Sequence, residues 1–254
     1  MNEDWKTDLT REEKRLALDK VIQLCHANLF SENSNVLKGL YSRGISDSTI
    51  KEFKLGAFPE DIGLLSRYVG KKALSKCGII GFDKEKTVSK FSTHGLIIPV
   101  YDEYGEPLAI MGRWTASEEK REKIGIPKYI NSFYKKGKTL FGLSHTKESI
   151  RNKDKAFIVE GNFDVLTAYQ NGMRNVVAAS GTFLTKNQVL ILSRYASKAT
   201  LLFDNDEAGH LATENVKKKY RDFEAIDIKA SKLPSDVKDL DEYFFKKAKN
   251  STSK

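Results

Sequence analysis

Glu160-Gly161 with Asp164, and Asp204-Asn205-Asp206 followed by Ala208-Gly209, form two short acidic signatures 44 positions apart in the second half of the chain. Each follows an apolar run, Ala156 to Val159 and Thr200 to Phe203, short enough to be a buried strand. Both sets of carboxylates would then emerge where a strand ends and a helix begins, the edge at which open parallel sheets bind ligands. Carboxylates crowded there repel one another unless a cation joins them. A donor set of hard oxygens, with few His or Cys nearby, favours Mg2+ or Mn2+. Asp204 and Asp206 are one residue apart, so an extended segment would turn both to the same side. Asp164 lies one helical turn beyond Glu160, and Gly209 would permit a close approach of backbone or substrate. Taken singly, an Asp-x-Asp is most often a turn or helix cap. A third acidic set, Asp236, Asp239 and Asp241, follows a fourth apolar run and makes that reading harder to sustain for all three.

Charge points to a polyanionic partner. The 254 residues carry 43 Lys and Arg against 34 Asp and Glu, a net charge of +9. Residues 111–155 hold twelve of those cations and only five acids, so most of the excess lies in one segment. Lys and Arg so concentrated neutralise phosphates and release counterions. Two cysteines, Cys25 and Cys77, exclude a disulfide framework and any zinc ribbon built from paired Cys, so no zinc is expected. Cys25-His26 sits in a run of helical periodicity and reads as packing. Lys136-Gly-Lys-Thr139 is not a P-loop, because Ser132 stands where the motif requires Gly. There is neither a long apolar stretch nor a signal segment, which points to a cytoplasmic protein without membrane insertion.

The elements that must position these residues divide the chain. Residues 1–35 read as a helical segment, with Thr10 and Glu13 as a capping box and Leu16, Val21, Leu24 and Leu29 as its apolar face. Residues 36–150 read as a basic, mixed α+β unit, with helices at 46–53 and 64–74. Strands at 96–100 and 107–111 would be joined by a hairpin loop ending at Gly105. From 151 to 245 strand and helix alternate, which demands crossover links and a parallel sheet. Strands are expected at 156–159, 175–179, 200–203 and 225–228, with Gly172 ending the first helix. Residues 246–254 read as a frayed polar tail. The fold class is thus α/β, with an α+β subdomain followed by a Rossmann-like parallel sheet.

Ile158-Val-Glu-Gly-Asn-Phe-Asp164 with Leu202-Phe-Asp-Asn-Asp-Glu-Ala-Gly209 resembles the Toprim fold of primases, topoisomerases and some nucleases. The resemblance widens in chain order. Tyr41-Ser-Arg-Gly-Ile-Ser46, Phe53-Lys-Leu-Gly-Ala-Phe-Pro59, Ile97-Ile-Pro-Val-Tyr-Asp102, Gly112-Arg113, Pro127-Lys-Tyr-Ile-Asn-Ser132, Lys136-Gly137, Leu140-Phe-Gly-Leu143, Ala178-Ala-Ser-Gly-Thr182 and Lys238-Asp-Leu-Asp-Glu-Tyr243 are similar to the catalytic core of bacterial-type, DnaG-like primases over roughly residues 36 to 245.

The resemblance implies a nucleotidyltransferase that makes short RNA primers on single-stranded DNA from nucleoside triphosphates, using Mg2+ or Mn2+. Glu160, Asp204 and Asp206 would be the catalytic and main metal carboxylates, supported by Asp164, Asp239 and Asp241. Arg113, Lys128, Asn131, Lys136, Gly161, Gly181 and Gly209 would serve nucleotide or template. Three departures stand out: the residues hold no Cys-x-x-Cys of the usual zinc-binding domain, a C-terminal helicase-binding domain is not expected, and Leu240 replaces the common Pro between the last two acids. A trimmed primase of a phage, plasmid or mobile element is expected, complete in itself, with template recognition supplied by a separate protein and a replicative helicase or a separate zinc-binding protein as partner. A metal-dependent Toprim nuclease, and a degenerate DNA-binding or replisome module, remain the alternatives.

Overall fold

The computed structural model describes residues 7–252 except 33, 85 and 182, so Thr182 of the expected motif lies outside the described residues. Two compact units divide the chain: Met1–Val100 with Glu106–Tyr134, and Tyr101–Gly105 with Lys135–Lys254.

The first unit begins with α1 (Arg11–Leu29), where Thr10 Oγ1 accepts the Glu13 N–H and the Glu13 carboxylate accepts the Thr10 N–H. Its buried stripe is Ala17, Leu18, Val21, Ile22, Cys25 and Leu29, at helical spacing. Leu16, expected on that face, is 47% exposed, because the stripe is displaced by one residue and Ala17 and Leu18 take its place. Cys25 lies against Gly56, where a Cβ would come within 2.7 Å of it, and burial pushes its thiol up to about 12. The residue is packing, not a ligand. Helices α2 (Asn35–Ser42), α3 (Asp47–Glu52), α4 (Ile62–Val69), α5 (Lys71–Lys76) and α6 (Glu118–Ile124) share this unit with a four-stranded sheet, and α4 and α5 pack on α1 and on each other. The expected helix over 64–74 is two, broken at Gly70, whose φ of 97° lies outside the helical region.

That sheet has the order β1 (Gly56–Ala57), β4 (Leu96–Tyr101), β5 (Pro107–Arg113), β6 (Tyr129–Asn131), while β2 (Gly81–Asp83) and β3 (Lys86–Val88) form a separate pair. Helix α1 packs on β1 and β5, so it belongs to this unit rather than forming a segment of its own.

The second unit is a parallel sheet of order β10 (Asp227–Ala230), β9 (Lys198–Leu201), β7 (Lys155–Val159), β8 (Val176–Ala178). Successive residues of β8 and most of those in β7 and β9 are buried; since neighbouring side chains point to opposite faces, both faces are covered. The crossovers are α8 (Asn162–Gln170), α9 (Lys186–Leu192) and α10 (Glu207–Lys219), while α7 (Leu143–Lys153) leads into the sheet and α11 (Leu240–Thr252) follows its last strand. Helix α7 packs on β7 and β8, and the Lys136–Lys138 turn is bonded to α9. The division therefore falls after Tyr134, not near 150. Glu103 joins this unit by accepting Arg194 at 2.7 Å and the Tyr195 hydroxyl at 2.6 Å. Helix α11 continues to Thr252, so the expected frayed tail is largely helical.

The core of this unit centres on Ile158, Val177, Leu201 and Val189, all at most 1% exposed. Ile158→Ala is expected to lower unfolding free energy by about 2–5 kcal/mol, while Leu16→Ala stays within about 0.5 kcal/mol. Urea denaturation of the two variants beside the parent chain checks both.

Candidate active site

Strands β7 and β9 are parallel neighbours with Ile158 opposite Leu201, and the Leu202 N–H donates to the Ile158 carbonyl at 2.9 Å. Glu160 and Asp204 therefore leave the sheet at the same edge. They meet there, for the Asp204 N–H donates to Glu160 Oε1 at 3.2 Å. Gly209, in the first turn of α10, lies directly on the Asp204 backbone: a Cβ would stand 2.2 Å from the Asp204 carbonyl oxygen. The close approach foreseen for this glycine is thus made by the chain itself.

The third acidic set is brought in by Asn205. Its N–H donates to the Lys238 carbonyl at 2.7 Å, and its side-chain amide donates to the carbonyls of Pro234 at 2.8 Å and Val237 at 2.9 Å. Sequence reasoning gave Asn205 no role. The signal was its place between two rim acids, which does not reveal that its amide straps a loop 30 residues away. Asp164 is a clamp: one oxygen accepts the Gly161 N–H at 3.1 Å and the other the Asp241 N–H at 2.9 Å. Asp206 caps α10 by accepting the Gly209 N–H at 2.9 Å, and Asp239 accepts the Glu242 N–H at 2.8 Å. Lys238 is the second residue passed over; its Nζ lies 3.5 Å from Asp206.

Three of the six acids thus hold helix starts, the bland reading of such motifs, while sharing one rim with Glu160 and Asp204. Burial drives Asp204 up to about 7, helped by the charges of Glu160 and Asp239 and opposed by Lys238. Burial likewise raises Asp164 to about 8, with Asp239 adding to it and the Asp241 N–H opposing it. Glu160 is raised by burial first and by the Asp206 charge, against the Asp204 N–H. Asp206 is held below the usual range, first by the Gly209 N–H and then by Lys238. The disposition fits a divalent cation in its chemistry, since hard oxygens with resisted ionisation gain from a positive ion. Among the described residues, no three His, Cys, Asp or Glu side chains are gathered into a cage. Mg2+ typically takes one or two carboxylates and completes its shell with water and substrate phosphates, which Glu160 and Asp204 can satisfy.

The other expected residues lie apart by unit. In the first, Arg113 ends β5, donates from Nε to the Tyr129 hydroxyl at 3.2 Å, and lines a cavity of about 300 Å3 with Arg43, Ser42, Trp114 and Glu118. Lys128 is exposed, 4.0 Å from Glu118, so Arg113 and Lys128 face the same carboxylate. Asn131 sits on β6 with its carbonyl accepting Lys90 at 2.6 Å. In the second unit Lys136 is exposed in a turn held by Thr185 and Gln188. Gly161 leads into α8, and Gly181 is exposed with open space where a Cβ would stand.

Asp164 and Asp204 bind protons more tightly folded than unfolded, so between the ordinary carboxylate range and about pH 7–8 rising pH favours unfolding through them. Asp206 works oppositely, stabilising above the ordinary range and losing that effect as pH falls through its lowered value. Without divalent ions, Asp204→Asn is expected to gain in Tm relative to the parent as pH rises from about 5 to about 8; parallel profiles would count against the coupled rim. Gly209→Ala is expected to cost about 1–3 kcal/mol by urea denaturation, because the Asp204 backbone must move.

Residues 24–147 match the family described as DNA primase catalytic core, N-terminal domain, and residues 157–244 the Toprim-like family. A DNA primase of Clostridium acetobutylicum is 36% identical over 233 residues, 85% of this chain and 36% of that protein. The Aquifex aeolicus primase structure, comprising zinc-binding and RNA polymerase domains, superposes with a TM-score of 0.82 at 29% identity, covering 99% of this chain and 62% of that one. A DnaG primase catalytic domain bound to single-stranded DNA shares the fold, with a TM-score of 0.80 at 22% identity over 96% of this chain and 77% of that one. The chain spans less than half the length of the curated relatives it matches. Both units, in their order along the sequence, place the chain in the bacterial-type, DnaG-like primase family, as a catalytic core with its Toprim domain.

Proposed function

We propose that the chain is a nucleotidyltransferase that joins nucleoside triphosphates into short RNA primers on single-stranded DNA, with Mg2+ or Mn2+ at the acidic rim. The observation that carries this reading is the pairing of Glu160 and Asp204 across adjacent strand ends, with Asp206 and Asp239 electrostatically coupled to them. A relative of the same fold is bound to single-stranded DNA, which supports that template class. In the reaction, the 3′ oxygen of one nucleotide forms a bond to the α-phosphorus of the next, pyrophosphate leaves with the electrons of the broken P–O bond, and the hydroxyl proton is released. A divalent ion, when bound, lowers the hydroxyl pKa and neutralises charge on the phosphates. Glu160 and Asp204 would hold it, Asp206 and Asp239 would add negative potential, and Asp164 and Asp241 keep the two helix starts in place.

Arg113, Lys128 and Lys136 supply cations for triphosphate and template phosphates, Arg113 with a planar fork suited to two oxygens. Asn131, Gly161 and the open backbone at Gly181 would lie along nucleotide or template.

Incubation with single-stranded DNA, labelled ribonucleotides and Mg2+ or Mn2+ tests the reading. Short labelled oligoribonucleotides are expected; degraded DNA would instead favour a nuclease, and DNA retained without either product a binding module. Glu160→Gln and Asp204→Asn are each expected to lower synthesis by about 100-fold or more while the fold persists. Full activity in both would remove the rim from the chemistry.

A further inference from the structure

Phe133 is a large aromatic side chain left 68% exposed, and the chain around it is unusually well fixed. Just before it, Ser132 is clamped to β5: its N–H donates to the Ile110 carbonyl at 2.9 Å and its Oγ accepts the Ile110 N–H at 2.9 Å. The Phe133 N–H then donates to the Cys77 carbonyl at 2.9 Å. Its ring lies on Gly78. The three atoms nearest to where a Gly78 Cβ would stand are all ring atoms of Phe133, at 2.6–2.8 Å, so the ring occupies the space that any other residue at 78 would fill. One side of the ring is therefore seated on backbone while the ring as a whole stays open to water.

Over the ring, Lys90 Nζ lies 5.9 Å from its centroid and is anchored on the Asn131 carbonyl at 2.6 Å. A single exposed apolar residue on a surface needs no explanation. A ring fixed by its backbone, resting on a glycine, still 68% exposed and with an ammonium anchored at a defined position over it, has the two components of a single-strand platform: aromatic surface for a base and a cation for the adjoining phosphate. The neighbouring positive charge complements a nucleic acid.

We propose that Phe133 stacks on a base of the single-stranded template, with Lys90 beside it at the phosphate. This assignment rests on the template reading above and adds to it a residue that selects for bases over bare backbone. Stacking on an aromatic tolerates any base, since each presents a π-face, so the contact would hold the template without fixing its sequence.

The test is fluorescence anisotropy with two labelled probes of equal length and charge, an oligo(dT) and its counterpart carrying abasic sites, at fixed salt. The parent chain is expected to bind the first more tightly. Phe133→Ala should weaken oligo(dT) binding about tenfold, equivalent to about 1.4 kcal/mol, and leave the abasic probe unchanged, while Phe133→Trp restores the difference. Equal binding by parent and Phe133→Ala overturns the assignment, as does an equal loss on both probes, or a Trp variant as weak as the Ala one. A parent chain that binds neither probe defeats the template reading itself, and this inference falls with it. A parent that binds both alike defeats this inference alone.

Discussion

Like charges repel, and the second unit keeps several at one sheet edge against that repulsion by bonding them to the backbone. The Asp204 amide donates to Glu160, the Gly209 amide to Asp206, the Glu242 amide to Asp239, and the Gly161 and Asp241 amides to Asp164. Most of those donors belong to helix starts, where amides lack intrahelical partners and the peptide dipoles favour negative charge. Capping and chemistry are therefore not competing readings of these acids. A cap uses one or two oxygen lone pairs and fixes the carboxylate in place, and the negative potential it adds to the rim remains.

Two residues without charge hold the arrangement together. Gly209 lets α10 begin against the Asp204 backbone, an approach closed to any side chain. Asn205 turns away from the rim and straps residues 233–238, so the loop that carries Asp239 and Asp241 cannot drift. Lys238 tempers the charge where it is most exposed, beside Asp206. Asp164, nine-tenths shielded and bonded to two amides, lies deeper than its spacing from Glu160 suggested. It serves the start of α8 and of α11, two helices that pack on each other.

The alternation of apolar runs with helices was legible because periods of two and of 3.6 residues are local properties. So were the caps: Thr10, Ser46, Thr185 and Asp206 each stand where a short polar side chain can meet an amide three residues on. Less legible was anything decided between elements. Leu16 has the right spacing for a buried face yet is exposed, since the partner surface selects which of two adjacent stripes is covered. The break at Gly70 was hidden inside one helical pattern. The division after Tyr134 depends on helix α7 finding β7 and β8, a contact with no local mark.

The sequence by itself determined which residues could be strand ends, which of them are acidic, and that a parallel sheet must carry them. Those are consequences of residue type and short-range spacing. Only the tertiary structure decided that Glu160 receives the Asp204 amide, that Asn205 ties in the loop 30 residues away, and that Phe133 rests on Gly78. These depend on which backbone groups come within about 3 Å of one another, and that proximity is set by the packing of distant segments rather than by any neighbour along the chain.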